Sequence, residues 1–262
     1  MPTRYLGHRD LRPRGLPAVE QCVFQRFLLW PLLLISHFLA AALLAWHLLA
    51  QGSFGFALAY PALNINEHIE HFGPQNRYKS GFGDTDKAEH LRLFGEIADS
   101  IQKDGEGLAS ITYTGPEGEP TLLMRPPEVL HLQDVAHLVT FFYQTGLIAA
   151  VLLVLLSAYT LWRRPRPPRV RSVLLVLAIT LAAGAILLWS LGPKTVFYRL
   201  HEWVFPPDHP WFFYYQDSLM TTLMKAPDLF GFIGALLLAL TLVIWGGTLI
   251  PFWRWLNDRA RL

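Results

Sequence analysis

Four apolar runs, each long enough to cross a bilayer as a helix, constrain this chain more than any other feature of its sequence. They cover residues 27–50, 137–162, 172–192 and 229–252, and a helical span needs roughly 20 residues. None carries Lys, Arg, Asp or Glu in its middle. Charged residues make up 16% of the chain, well under the roughly 25% of a soluble domain, so a water-soluble globular fold is excluded. The first run holds Pro31, His37 and His47. Pro31 falls in the opening turns, where a missing N–H is tolerated, and the two histidines read as interfacial or packed against neighbouring helices. A removable signal peptide has a shorter apolar core, of about 7–15 residues. Run one therefore reads as a signal anchor, with processing at Ala57-Leu58-Ala59 as the alternative. The single cysteine, Cys22, allows no intramolecular disulfide. It reads as an inert thiol, with palmitoylation the alternative.

Arginine sets the expected orientation. Residues 1–26 carry Arg4, Arg9, Arg12, Arg14 and Arg26; the link 163–171 carries Arg163, Arg164, Arg166, Arg169 and Arg171; the tail 253–262 carries Arg254, Arg259 and Arg261. With four spans all three fall on one side, which the positive-inside rule makes cytoplasmic. Segments 51–136 and 193–228 then face outward. No basic run interleaves with aromatics as nucleic-acid binding requires, so the arginines read as topology determinants and headgroup contacts. The expected architecture is an all-α membrane protein. It has four transmembrane helices, a small extracytoplasmic α+β cap over 51–136 and an aromatic interfacial loop over 193–228. Its place is the bacterial cytoplasmic (inner) membrane, with both termini cytoplasmic.

The first outward segment is marginal as an independent core. Apolar residues at helical spacing predict an amphipathic helix over 86–103, through Leu91, Phe94, Ile97, Ala98 and Ile101. Alternation around Ile111 and Tyr113, Gly-Pro and Gly-Glu-Pro turn residues, and Leu122 to Met124 predict a hairpin. PPEVLHLQDV then opens a new helix, because paired prolines suit a first turn and Glu128 suits its dipole. EHIEHF at 67–72 lacks the spacing of a zinc-protease motif and reads as an amphipathic turn. The second outward segment packs nine aromatics into 197–215 and adds His201, Glu202, Asp208, His209 and Asp217. An aromatic belt accounts for the rings, but not for so many ionisable groups. A re-entrant turn lining a cavity accounts for both.

His131, Asp134 and His137 follow one another at steps of three and share a broad helix face. His131 and Asp134 lie just outside the second apolar run and His137 at its first position, at headgroup depth. His201 lies a similar distance beyond the third, so two imidazoles converge if these helices are neighbours. A histidine beside a carboxylate is a general-base arrangement, and imidazole titrates where a proton acceptor works best. Interfacial histidines bonded for stability are the plain alternative. A zinc site of His131, Asp134, His137 and His201 is another, and would make the chain a metal-dependent membrane hydrolase. A third is a non-enzymatic accessory protein whose cap binds a partner. No G-x-S-x-G is present. Ser218, beside Asp217, is a weak nucleophile candidate.

The H-x-x-D-V of residues 131–135 and the aromatic stretch YRLHEWVFPPDHPWFFYYQDSLMTTLMKAPDLF resemble the signatures of an integral-membrane family, that of the bacterial lipoprotein intramolecular transacylase, Lit. Ala136 stands where the family often has lysine, and Leu200 where a phenylalanine commonly precedes the histidine. The resemblance implies acyl transfer without a cofactor. The acyl chain moves from the glyceryl group of a diacylated lipoprotein, or from a related phospholipid, to an N-terminal cysteine amine. It implies His131 and His201 as the catalytic acid and base, with Asp134 orienting His131. Asp208 and Asp217 would orient His201 or hold the ammonium form, and Tyr198, Phe205 and Trp211 would grip the substrate and shield the site.

Overall fold

The computed structural model describes residues 25–259. Cys22 and the arginines at 4, 9, 12, 14 and 261 lie outside them. The first span, Phe27–Ala50, opens with a π-helical turn and continues as helix α1, Trp30–Ala50. Short helices α2, Phe56–Ala62, and α3, Ile65–Phe72, follow, then α4, Lys87–Gln102. Strands β1, Thr112–Thr114, and β2, Pro120–Leu122, form the antiparallel hairpin, with Tyr113 opposite Thr121. Helix α5 runs unbroken over Pro126–Arg163, α6 over Val170–Leu191 and α7 over Pro193–Val204. Helix α8, Leu219–Met224, and α9, Asp228–Arg259, complete the chain. Four of these helices are long and apolar enough to cross a membrane.

Local chemistry accounts for the element ends. Asp86 caps α4 by accepting from the Glu89 amide at 2.9 Å, a standard N-cap bond. At the start of α5, Pro126 fills N1 and Glu128 reaches back to accept from the Arg125 amide at 2.8 Å. Between α6 and α7 the chain turns at Gly192, with φ 80° and ψ 140°, a conformation that side chains rarely adopt. Pro193 then starts α7.

The cap does not close on its own residues. Phe54, Phe56, Ile65, Ile69, Phe82, Leu93, Phe94, Ile97 and Leu123 form its core. Leu219, Met220, Leu223 and Met224 of α8 enter the same core, together with Leu132 of α5 and Leu229 of α9. All six residues of α8 are buried. Segment 193–228 therefore contributes apolar side chains to the core of the cap. The Ala57-Leu58-Ala59 stretch lies inside α2, with Ala59 fully buried.

Within the bundle, α1 packs against α5 and α9. A second core of Trp30, Leu33, Ala41, Trp245, Leu249 and Trp253 joins α1 to α9. Helix α6 buries no residue, and its principal neighbour is α7. The second and third spans, expected as neighbours through their short link, meet at one core near that link, where Val173 and Leu177 of α6 and Leu156 and Leu161 of α5 pack. The rest of α6 is exposed, so the contact does not run along its length. Two further differences concern extent. Helix α5 carries 38 residues, about 57 Å at 1.5 Å per residue, so it begins well outside the apolar run. Residues 193–204, expected as loop, form α7, whose Phe197 and His201 lie one turn apart while Trp203 faces outward at 87% exposure.

Candidate active site

Helix α5 delivers His131 one and a half turns after its start, and α7 delivers His201. Their ring centroids lie 6.1 Å apart. Phe205, just past the end of α7, touches both rings, at 4.9 Å from His131 and 5.2 Å from His201. Trp211 lies 5.0 Å from His201, and Phe213 lies 6.2 Å from His131. Tyr198 stacks outside Trp211 at 5.8 Å. The aromatic segment thus wraps the two imidazoles, and the sequence-derived pair His131 and His201 meets with Phe205 and Trp211 around it.

The two histidines differ in their bonds. Nδ1 of His201 lies 2.8 Å from the Phe197 carbonyl oxygen. A carbonyl only accepts, so Nδ1 carries the proton and Nε2 holds the lone pair. Burial pushes the His201 pKa below its ordinary value, with the Phe197 bond opposing it. His131 is 8% exposed, and its buried Nδ1 has no hydrogen-bond partner. A buried N–H left unpaired costs about 1–3 kcal/mol. The tautomer with the proton on Nε2 avoids that, and Nε2 is then a donor.

The carboxylates do not sit where the sequence puts them. Asp134 accepts from Nδ1 of His209 at 2.7 Å and makes no hydrogen bond to His131. On α5 it points to the turn Pro206–His209, which the His209 amide closes onto the Pro206 carbonyl at 3.1 Å. Asp217 pairs with Arg77 of the cap at 3.0 Å and does not orient His201. Asp208 is exposed. His137 turns to Gln133 at 3.1 Å, away from the pair. Among the described residues no three His, Cys, Asp or Glu side chains are grouped to hold a metal ion. Ser218 is fully buried; it donates to Glu128 Oε1 at 2.5 Å and caps α8 by accepting from the Thr221 amide at 2.9 Å. That bond ties the end of the aromatic segment to the start of α5, three residues before His131. Glu128 is 1% exposed and also meets Arg125 Nε at 3.2 Å.

Sequence reasoning missed His209 and the Glu128–Ser218 tie. His209 stood among five ionisable groups of its segment, with no spacing to say which pairs with what. Glu128 and Ser218 are 90 positions apart, beyond any local pattern.

The model of the family "Lipoprotein intramolecular transacylase Lit" matches residues 82–226, more than half of the chain. The chain belongs to the Lit family. The matched region runs from the cap through α5, α6 and α7 to the end of α8, and so contains both imidazoles and the aromatic segment. As a Lit family member the protein is an acyltransferase, an intramolecular transacylase of the membrane. Its fold is similar to solved in meso structures of the membrane-integral Lit from Bacillus cereus. A form of that protein with a histidine replaced by alanine has a TM-score of 0.61 at 18% identity, over 93% of this chain and 98% of that one. A second form, with arginine at the histidine, has 0.60 at 18%, over 94% and 99%. Among curated proteins none matches the chain by sequence.

Proposed function

We propose that this Lit family enzyme moves an acyl chain from the glyceryl group of a diacylated lipoprotein to the α-amine of its N-terminal cysteine, with His201 as proton shuttle and His131 as oxyanion donor. The observation that carries the reading is the His131–His201 pair, 6.1 Å between centroids, with Nδ1 of His201 committed to the Phe197 carbonyl. Nε2 of His201 is then the base, and burial keeps it neutral. It takes a proton from the amine as the nitrogen attacks the ester carbonyl. Nε2–H of His131 donates to the oxygen as it becomes an oxyanion, as a neutral imidazole does in other enzymes. When the intermediate collapses, the ester C–O bond breaks and His201 returns the proton to the glyceryl oxygen. No cofactor enters this scheme. Amine and ester share one lipidated residue, so proximity supplies much of the barrier reduction. Phe205, Trp211 and Phe213 exclude water and Tyr198 extends the aromatic wall outward, where acyl chains lie.

The site lies on the outer-leaflet side of a bacterial cytoplasmic membrane in this reading, because α5 projects it away from the arginine-rich link at 163–171. The test is mass spectrometry of a lipoprotein N-terminus from cells carrying wild-type, His131→Ala or His201→Ala enzyme. Loss of the shuttle is expected to cost about 10²–10⁴ in rate and loss of the donor about 10²–10³, with membrane insertion retained. An N-terminus whose acylation is the same with and without the enzyme refutes the proposal.

A further inference from the structure

The histidine–carboxylate dyad foreseen for His131 exists in this protein, but on another histidine. Asp134 Oδ2 accepts from His209 Nδ1 at 2.7 Å. The bond fixes the proton on Nδ1 and leaves Nε2 of His209 as an acceptor. The dyad joins α5 to the aromatic segment across 75 positions. It adjoins the paired imidazoles on both sides: Asp134 is one turn along α5 from His131, and Trp211, two residues after His209, packs on His201 at 5.0 Å. It is also more open than His131. The side chains of His209 and Asp134 are 28% and 16% exposed, against 8% for His131.

The transfer scheme above leaves one proton unassigned. An α-amine with its ordinary pKa of about 7.7–8.0 arrives at neutral pH as ammonium, which has no lone pair for attack. His201 shuttles a proton from amine to glyceryl oxygen and so has no capacity for a second. The aromatic wall of Phe205, Trp211 and Phe213 keeps water from taking it at the reacting atoms.

We infer that His209, held by Asp134, takes this surplus proton from the substrate's α-ammonium group and passes it to water, delivering the free amine to His131 and His201. This rests on the function proposed above. In the step one N–H bond of the ammonium breaks and one forms on Nε2 of His209. The resulting imidazolium is paired with the Asp134 carboxylate, and its proton then leaves to solvent from the open side. The acyl transfer that follows forms the N–C bond, breaks the ester C–O bond and leaves an amide, a hydroxyl and one released proton. Asp134 faces His209 directly, and Asp208 is its neighbour in the turn.

The experiment measures initial rates of O-to-N acyl transfer on a synthetic diacylglyceryl-cysteine peptide from pH 6.5 to 9.5. It uses the full-length enzyme in detergent, as wild type, His209→Ala, His209→Asn and His201→Ala. Without His209 the enzyme works only on the fraction of amine already free. His209→Ala is therefore expected to lose about 5- to 10-fold at pH 7 and to come within about twofold of wild type by pH 9. His209→Asn keeps a donor for Asp134 but takes no proton, and is expected to follow the alanine variant. His201→Ala is expected to stay inactive across the range. A His209→Ala loss that is the same at pH 7 and pH 9 overturns the inference, since a structural tie to Asp134 does not depend on substrate ionisation. So does either His209 variant with wild-type rates at pH 7. If wild type itself leaves the peptide unchanged, the proposed function falls and the inference with it. If wild type is active and His209→Ala is flat with pH, only the inference falls.

Discussion

His68 shows how an ordinary residue of the cap carries a pH signature. The sequence offered it as part of EHIEHF, a possible metal ligand or a plain amphipathic turn. In the structure it is 9% exposed, its Nε2 has no partner, and it packs on Tyr215 at 4.4 Å and on Phe72 at 4.7 Å. Burial first, then the nearby Lys225 ammonium, lowers its pKa to about 4. An unfolded chain takes up that proton near pH 6.5, while the folded protein does not. Stability therefore falls as pH drops from about 6.5 towards 4, and this contribution levels off below. Thermal unfolding in detergent at pH 7.5, 6, 5 and 4.5 is expected to show the fall, and His68→Phe to make it shallower, since His131, lowered to about 4 by its burial, keeps its own share. Equal slopes in the two proteins would rule out His68 as the group. The residues of the proposed site were legible to different degrees. His131 and His201 were readable because a polar group at the end of an apolar run is anomalous. The partner of Asp134 was not, because 75 positions separate it from His209 and only the fold of the turn at Pro206–His209 aims that ring.

The helices were legible as elements and less so as neighbours. The apolar runs, the helix at Lys87–Gln102, the hairpin and the start at Pro126 all follow from periodicity, turn residues and caps. Their contacts do not. Helices α1 and α5 approach at Gly146, where an added Cβ would lie 2.9 Å from Leu43 Cβ. Ala41, Ala45 and Ala149 are buried on the same two helices, the small-residue interface expected where lipid competes with no hydrophobic drive. Gly184 on α6 has nothing within 4 Å of the same construction. Gly146→Leu is thus expected to cost about 1–3 kcal/mol through overpacking, seen as a lower unfolding temperature in detergent. Gly184→Leu is expected to be neutral. Equal effects of the two would contradict the helix pairing described. Helix α7 escaped the sequence reading because its aromatic density resembles a belt; Gly192 and Pro193 were the signal for it.

At the scale of the whole molecule, the distribution of arginine makes a claim about sides. With Cys22 replaced, single cysteines at Tyr78 in the cap and at Arg166 in the link between α5 and α6 separate the two compartments. A membrane-impermeant maleimide added to spheroplasts is expected to label Tyr78→Cys and to spare Arg166→Cys until the membrane is opened; the reverse pattern would invert the orientation. The sequence by itself determined that the chain is a membrane protein with four apolar helices and an aromatic segment between the third and fourth. Apolar run length and arginine placement are properties of consecutive residues, and the bilayer reads them one segment at a time. The tertiary structure alone decided three things. The core of the cap is completed by α8, which comes from the distant segment 193–228. Helix α6 meets the bundle's second core at Val173 and Leu177 and is exposed elsewhere. Asp134 serves His209 and not His131, because a hydrogen bond goes to the nearest aligned donor in space, whatever its distance in the chain.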